Sequence, residues 1–219
     1  MTSTTNPATP RDRLLRAAAE LFHREGIATT GVERLCQVAG VSKRTMYQLF
    51  ETKDALVAES LDACGPAVVA AHLPDRTSNL GPRERILAVF AHLDEMSGSA
   101  EFRGCPFLNT AVELRDPDHP ASVVARGYKD RLTGFFAEQA RLAGARDPQT
   151  LARQLTIVYD GSASRAVTQG AGLDGLAALT ASALLDAQLG TALSEAQPGT
   201  ALSEAQPGTA LSEAQPGTG

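Results

Sequence analysis

The chain has no tryptophan, and only 5% of its 219 residues are aromatic. No uninterrupted apolar run reaches the ~18 residues of a membrane-spanning helix, so a membrane span is not expected. The opening residues, Met-Thr-Ser-Thr-Thr-Asn-Pro, have neither the basic start nor the apolar stretch of a secretory signal. Cysteine is scarce as well. Cys36, Cys64 and Cys105 stand far apart, too few for a disulfide framework and in no zinc-finger spacing. Together these absences predict a soluble, reduced, cytoplasmic protein. The four histidines, His23, His72, His92 and His119, show no pairing at i, i+3 or i+4, so no metal site is expected. No P-loop occurs, and no strand leads into a glycine-rich turn. The chain therefore reads as a non-enzyme with no catalytic residues and no cofactor.

What is present is unevenly placed. Residues 1–54 carry eight Lys/Arg and six Asp/Glu, whereas the remainder carries twelve and nineteen, for a net charge of −5. A slightly basic N-terminal region beside an acidic body fits a small phosphate-contacting module on a larger partner domain. At the other end, Gly-Thr-Ala-Leu-Ser-Glu-Ala-Gln-Pro starts at Gly190, Gly199 and Gly208. One leucine per copy and a Pro-Gly break each time cannot build a core. Residues 191–219 are therefore expected to form a disordered tail, with a short partner-binding motif as the other reading.

Between these ends, 43% hydrophobic composition leaves ample material for a core, and the spacing is helical nearly throughout. Leu14, Ala18, Leu21 and Phe22 form one stripe, stopped by Gly26. Ile86, Val89, Phe90 and Leu93 form another, opened by Gly81-Pro82. Val124, Tyr128, Leu132, Phe135 and Leu142 mark a long helix between Pro120 and Gly144. Leu151, Leu155, Val158 and Ser162 follow Asp147-Pro148. Leu176, Leu179, Ala183, Leu184 and Ala187 make the last stripe, with Asp174 near its N-cap. Period-two alternation is missing. The fold class is all-α.

Residues 29–54 carry the functional signal. A short helix from Val32 to Val38 faces Val32, Leu35 and Val38 inward, and Gly40 supplies the left-handed stop. Ser42 caps a second helix, about Lys43 to Phe50, which buries Met46, Leu49 and Phe50. Two short helices crossed through a tight glycine turn are helix-turn-helix geometry, whose second helix enters the DNA major groove. Thr30 ahead of the first helix can cap it and offer a hydroxyl to phosphate. Thr45 and Tyr47 present further hydroxyls, and Lys53 opens the next helix, where backbone N–H groups already favour an anion.

At these positions the chain resembles the TetR family of bacterial transcriptional regulators, whose run is T-x-x-x-I-A-x-x-A-G-V-S-x-x-T-x-Y-x-x-F-x-x-K-x-x-L. Leu35, Ala39, Gly40, Val41, Ser42, Thr45, Tyr47, Phe50, Lys53 and Leu56 occupy it here, with Thr29 or Thr30 answering to its leading threonine one or two positions early. Cys36 departs from the usual alanine but is small enough to pack. The resemblance implies a DNA-binding domain over 10–56 and an effector-binding, dimerising domain over 57–190. It implies Lys43, Arg44, Thr45 and Gln48 as base-edge or mixed readers, and Tyr47 and Lys53 as phosphate clamps. Arg44 suits guanine and Gln48 suits adenine. The implied partners are double-stranded DNA with a palindromic operator, a small-molecule effector and a second copy of the chain.

The implied function is a repressor released by a small apolar or aromatic effector. An activator or an effector-independent DNA binder with the same head is the alternative, and an all-α enzyme a distant third. Phe90, Cys105, Phe107, Asn109, Tyr128 and Tyr159 are candidate effector-pocket residues, each with plain core as the competing reading. Cys105, flanked by Gly104 and Pro106, is either a reactive thiol or a small buried hydrophobe. Leu155, Leu176, Leu179 and Leu184 are candidates for a homodimer interface between the last two helices. Gly65-Pro66 is expected to kink the helix joining head and body.

Overall fold

The computed structural model describes residues 8–75 and 77–190, so the repeat-bearing tail lies outside the described residues. Among the described residues there are nine helices and no strand. They are α1 (Pro10–Glu25), α2 (Val32–Ala39), α3 (Lys43–Leu49), α4 (Lys53–His72), α5 (Pro82–Ser97), α6 (Pro106–Leu114), α7 (Pro120–Leu142), α8 (Pro148–Gln169) and α9 (Leu176–Leu189). None is long and apolar enough to cross a membrane.

Punctuation follows the sequence closely. Proline opens α5, α6, α7 and α8, where its missing N–H has no helical partner to lose. Thr9 and Asp12 close a reciprocal capping box on α1. Gly26, at φ 91°, ends that helix in a conformation that a side chain would strain.

Two cores result. Leu14, Ala18, Leu21, Leu35, Ala39, Met46, Phe50 and Leu56 fill the head. Ile86, Phe90, Phe136, Leu151, Leu155, Tyr159, Ala181 and Leu185 fill the body. The division at 56/57 falls inside α4. Val57 and Ala58 still belong to the head core, and Ala121 at the start of α7 seals it. Polar ties reinforce this contact: the Glu113 carboxylate accepts from the Ala28 N–H at 2.7 Å, and His119 lies 3.6 Å from Asp54.

Several burial expectations change. Val38 is 44% exposed and Leu49 38% exposed, so neither joins the head core. With only about two turns each, α2 and α3 bury a narrow stripe, Leu35, Cys36 and Ala39 on one and Met46 on the other. The face of α9 also rotates. Ala177, Ala181 and Leu185 pack inward, while Leu176 is 48% and Leu179 68% exposed. Small residues let α9 lie close to α5 and α8, which leaves its larger leucines outside. Asp174 does not cap α9; the Asp94 carboxylate of α5 does, accepting from the N–H groups of Ala177 (3.3 Å) and Ala178 (3.1 Å). The connection Gly170-Ala-Gly-Leu-Asp-Gly175 has G-x-G-x-x-G spacing, but it links two helices with no strand before it and so lacks the context of a dinucleotide loop.

The expected break at Gly65-Pro66 takes another form. Helix α4 runs on through both residues. Pro66 has no N–H for the Asp62 carbonyl one turn earlier, and the Tyr128 hydroxyl of α7 supplies that bond instead at 3.1 Å. Gly65 makes the approach possible, because a Cβ there would fall inside the Tyr128 ring.

Candidate nucleic-acid interface

The turn between α2 and α3 is built from backbone carbonyls and one arginine. Gly40 adopts φ 63°, ψ 43°, and the N–H groups of Gly40 and Val41 return to the carbonyls of Gln37 and Cys36. Arg13 of α1 then donates Nε to the Ala39 carbonyl at 2.9 Å and a terminal nitrogen to that of Gly40 at 3.4 Å. Sequence reasoning missed Arg13, because its partners lie 26 and 27 residues away. Ser42 caps α3 as expected, accepting from the Thr45 N–H at 3.0 Å.

Helix α3 presents Lys43, Arg44, Tyr47 and Gln48 to solvent. Tyr47 is 52% exposed. Arg44 makes no hydrogen bond or ion pair with any described residue, so its guanidinium is available to a ligand. Lys43 is held by Glu33 of α2, whose carboxylate the contact keeps below the usual range. That exposed pair is worth little in water, and a DNA phosphate would compete for the lysine. Thr45 is half-buried, with its hydroxyl 2.9 Å from that of Ser42.

Two expected contacts are placed differently. Thr30 is fully buried and gives its hydroxyl to the Gly26 carbonyl at 2.6 Å, while Gly31, not Thr30, is the N-cap of α2. It braces the α1–α2 connection and has no surface for phosphate. Lys53 folds back to donate its ammonium to the Ile27 carbonyl, 5.9 Å from the centre of the Phe22 ring. Its first expected effect is therefore on the head itself. Lys53→Ala should lower head stability by about 1–2 kcal/mol, the range for a charge-assisted bond to a half-buried carbonyl, read as a fall in the urea midpoint without DNA. An unchanged midpoint would return Lys53 to a purely DNA-facing role.

In the body, four of the six candidate pocket residues converge. Cys105, Phe107, Tyr128 and Tyr159 line a cavity of about 40 Å³ together with Val68, Val69 and His72 of α4, Leu73 just after it, and Lys129 and Leu132 of α7. Phe107 and Tyr128 stack at 4.5 Å and 11°. Phe90 stands behind the wall, fully buried, stacked on Phe136 at 5.6 Å and edge-on to Tyr159. Asn109 is exposed and points elsewhere, donating to the Arg103 carbonyl at 2.7 Å and so fixing the turn before α6. Burial pushes the Cys105 thiol up, which keeps it protonated and favours the reading as a small wall residue.

The interface candidates also separate. Leu155 is fully buried in its own chain's core and offers nothing to a second copy, while Leu184 is half-buried against that core. Leu176 and Leu179 do face outward, and so does Ile157 of α8, 71% exposed, which the sequence reading left out.

Comparison with known proteins agrees with this geometry. The family pattern described as bacterial regulatory proteins of the tetR family matches residues 14–60, which span most of α1 through the first turns of α4. A solved tetr-transcriptional regulator from Streptomyces avermitilis is 49% identical, with a TM-score of 0.79 over 82% of this chain and 98% of that one. The TetR-family regulator SCO4454 from Streptomyces coelicolor is 27% identical, with a TM-score of 0.72 over 82% of this chain and 96% of that one. The HTH-type transcriptional regulator YjdC of Escherichia coli (strain K12) is 23% identical over 158 residues, 71% of this chain and 82% of that protein. The chain belongs to the TetR family and is a DNA-binding transcriptional regulator with an N-terminal helix-turn-helix.

Proposed function

We propose that the protein is a homodimeric repressor that leaves a palindromic operator when a small apolar or aromatic effector enters the body. A head of about residues 10–56 reads DNA, and a body of about 57–190 dimerises and senses. The observation that carries the reading is the double use of α4. Its first turns pack in the head core, while Val68, Val69, His72 and Leu73 near its end wall the cavity. At about 40 Å³ the cavity holds only two or three waters. An effector must part these walls, and α4 is one of them. Such a ligand binds the displaced conformation better, and a hundredfold release corresponds to about 2.7 kcal/mol of differential affinity. Two recognition helices must sit about 34–36 Å apart, or a multiple, to reach successive major grooves, so a tilt of α4 costs contacts at one half-site.

On the DNA side, Arg44 and Gln48 are the base-edge readers in this proposal. Tyr47 holds phosphate, with Ser42, Thr45 and Lys43 in support. The test is a pair of substitutions measured on duplexes that the protein itself selects from a random library. Tyr47→Ala should weaken binding to all sequences about equally, because phosphate contacts position without specifying. Arg44→Ala should relax the preference at particular base pairs, by about 1–3 kcal/mol of discrimination. Unchanged affinity for Tyr47→Ala, with unchanged preference for Arg44→Ala, would remove this docking of α3.

A further inference from the structure

The cavity wall is mostly apolar, carries a few hydrogen-bond donors and has no carboxylate. Lys129 lies in it with its side chain 17% exposed, and its ammonium is paired with Asp160, which stands outside the wall. That ammonium sits 5.0 Å from the centre of the Tyr159 ring. An ammonium has three N–H donors, and Asp160 accepts one. Tyr159 is 4% exposed, and its hydroxyl has no hydrogen-bond partner among the described residues. Burial, then the neighbouring Cys105 and Asp160, push its pKa far up, so it keeps its proton. Two other polar atoms of the wall are engaged. The Tyr128 hydroxyl bonds Asp62, and His72 Nδ1 lies 2.7 Å from the Val68 carbonyl. Burial lowers the His72 pKa and keeps that ring neutral.

Charge balance then discriminates between ligands. The Lys129–Asp160 pair is already neutral. An anion beside the ammonium would leave an uncompensated negative charge in a largely dry site, and a cation would face Lys129 with no carboxylate in the wall. A neutral acceptor uses a spare N–H and disturbs no charge. We infer that the cavity takes an apolar, ring-sized molecule bearing a neutral hydrogen-bond-accepting oxygen, as in a ketone or ester, held by the Lys129 ammonium and the Tyr159 hydroxyl. This rests on the effector reading above and narrows it.

Four molecules of nearly one shape test it by isothermal titration into the full-length protein: acetophenone, ethylbenzene, benzoate and 1-phenylethylamine. Acetophenone should bind about tenfold tighter than ethylbenzene, the effect of one well-placed hydrogen bond, and tighter than both charged analogues. Replacing the pair together, Lys129→Met with Asp160→Asn, should weaken acetophenone toward the ethylbenzene level, the Tyr159 hydroxyl keeping the remainder, and leave ethylbenzene unchanged. Tyr159→Phe, a milder variant that keeps the ring, should weaken acetophenone alone. Equal affinities, preference for benzoate or the amine, or no binding by any of the four overturns the inference. The outcome for DNA is separate. An amine that binds tightest and releases the selected duplex overturns the acceptor assignment and leaves the effector reading standing. Selective, Lys129-dependent acetophenone binding that leaves DNA affinity unchanged supports the assignment and overturns the effector reading.

Discussion

Leu179→Glu is expected to yield folded monomers that bind the selected duplex at least a hundredfold more weakly than the parent protein. The expectation starts from burial. Leu179 is 68% and Leu176 48% exposed on α9, and Ile157 is 71% exposed on α8, each turned away from a well-filled body core. Each such side chain contributes about 1.5–3 kcal/mol when it is buried. In a two-fold interface every position counts twice, so one substitution places two carboxylates in an apolar contact. An unpaired buried charge costs several kcal/mol, enough to raise a dimer dissociation constant by about a thousandfold or more. Because Leu179 touches little of its own chain, the helical signal of the monomer should stay unchanged. Leu155→Glu should behave differently, unfolding the body, since Leu155 is fully buried within it. Sedimentation equilibrium separates the cases. A dimeric Leu179→Glu variant, or a monomeric parent, would sink the proposed interface of α8 and α9 with a second copy.

The contrast between Leu155 and Leu179 shows how far the sequence could be read. Periodicity finds an apolar stripe, but it cannot say whether a stripe faces its own core or a second copy. On α9 the alanines won the inner face because a small residue lets three helices approach, and no hydrophobicity count anticipates that. Local chemistry was far more legible. Gly40, Ser42, Gly26 and the prolines at 82, 120 and 148 act within a few residues of themselves, and each sits where expected, whereas the helix that Pro106 opens was not anticipated. What escaped is chemistry at long sequence separation. Arg13 reaches the Ala39 carbonyl, Asp94 caps α9, and Glu113 holds the Ala28 N–H across 85 positions. Thr30 and Lys53 were legible as head residues, but their polar atoms turn inward to the Gly26 and Ile27 carbonyls of the α1–α2 connection. Asn109 was grouped with the pocket by its neighbours in sequence, and one turn of helix α6 carries it out of the wall.

The largest effect on regulation is expected at the seam where Tyr128 meets α4. Tyr128 is 5% exposed, its ring belongs to the cavity wall, and its hydroxyl lies 3.1 Å from both the Asp62 carbonyl and the Asp62 carboxylate. Burial and Asp62 both raise its pKa, so it stays a donor. Gly65→Ala would gain about 1 kcal/mol of helix propensity on an open helix. Here the added methyl overlaps the Tyr128 ring, and overpacking of that kind costs about 1–3 kcal/mol. The variant should still fold, with Tyr128 driven out of its notch and α4 displaced as an occupant of the cavity would displace it. Operator affinity should fall without any ligand. Tyr128→Phe tests the same seam more gently. It leaves the Asp62 carbonyl without the donor that Pro66 cannot provide, at a cost of about 1–3 kcal/mol. Pro66→Ala restores a backbone N–H at that position, so Tyr128→Phe should cost about 1 kcal/mol less in the Pro66→Ala background than alone. Urea unfolding of the four proteins gives the coupling directly. If the two changes add within about 0.3–0.5 kcal/mol, the hydroxyl does not serve the proline. If Gly65→Ala also binds its duplex as the parent does, pocket and head are not joined through Tyr128.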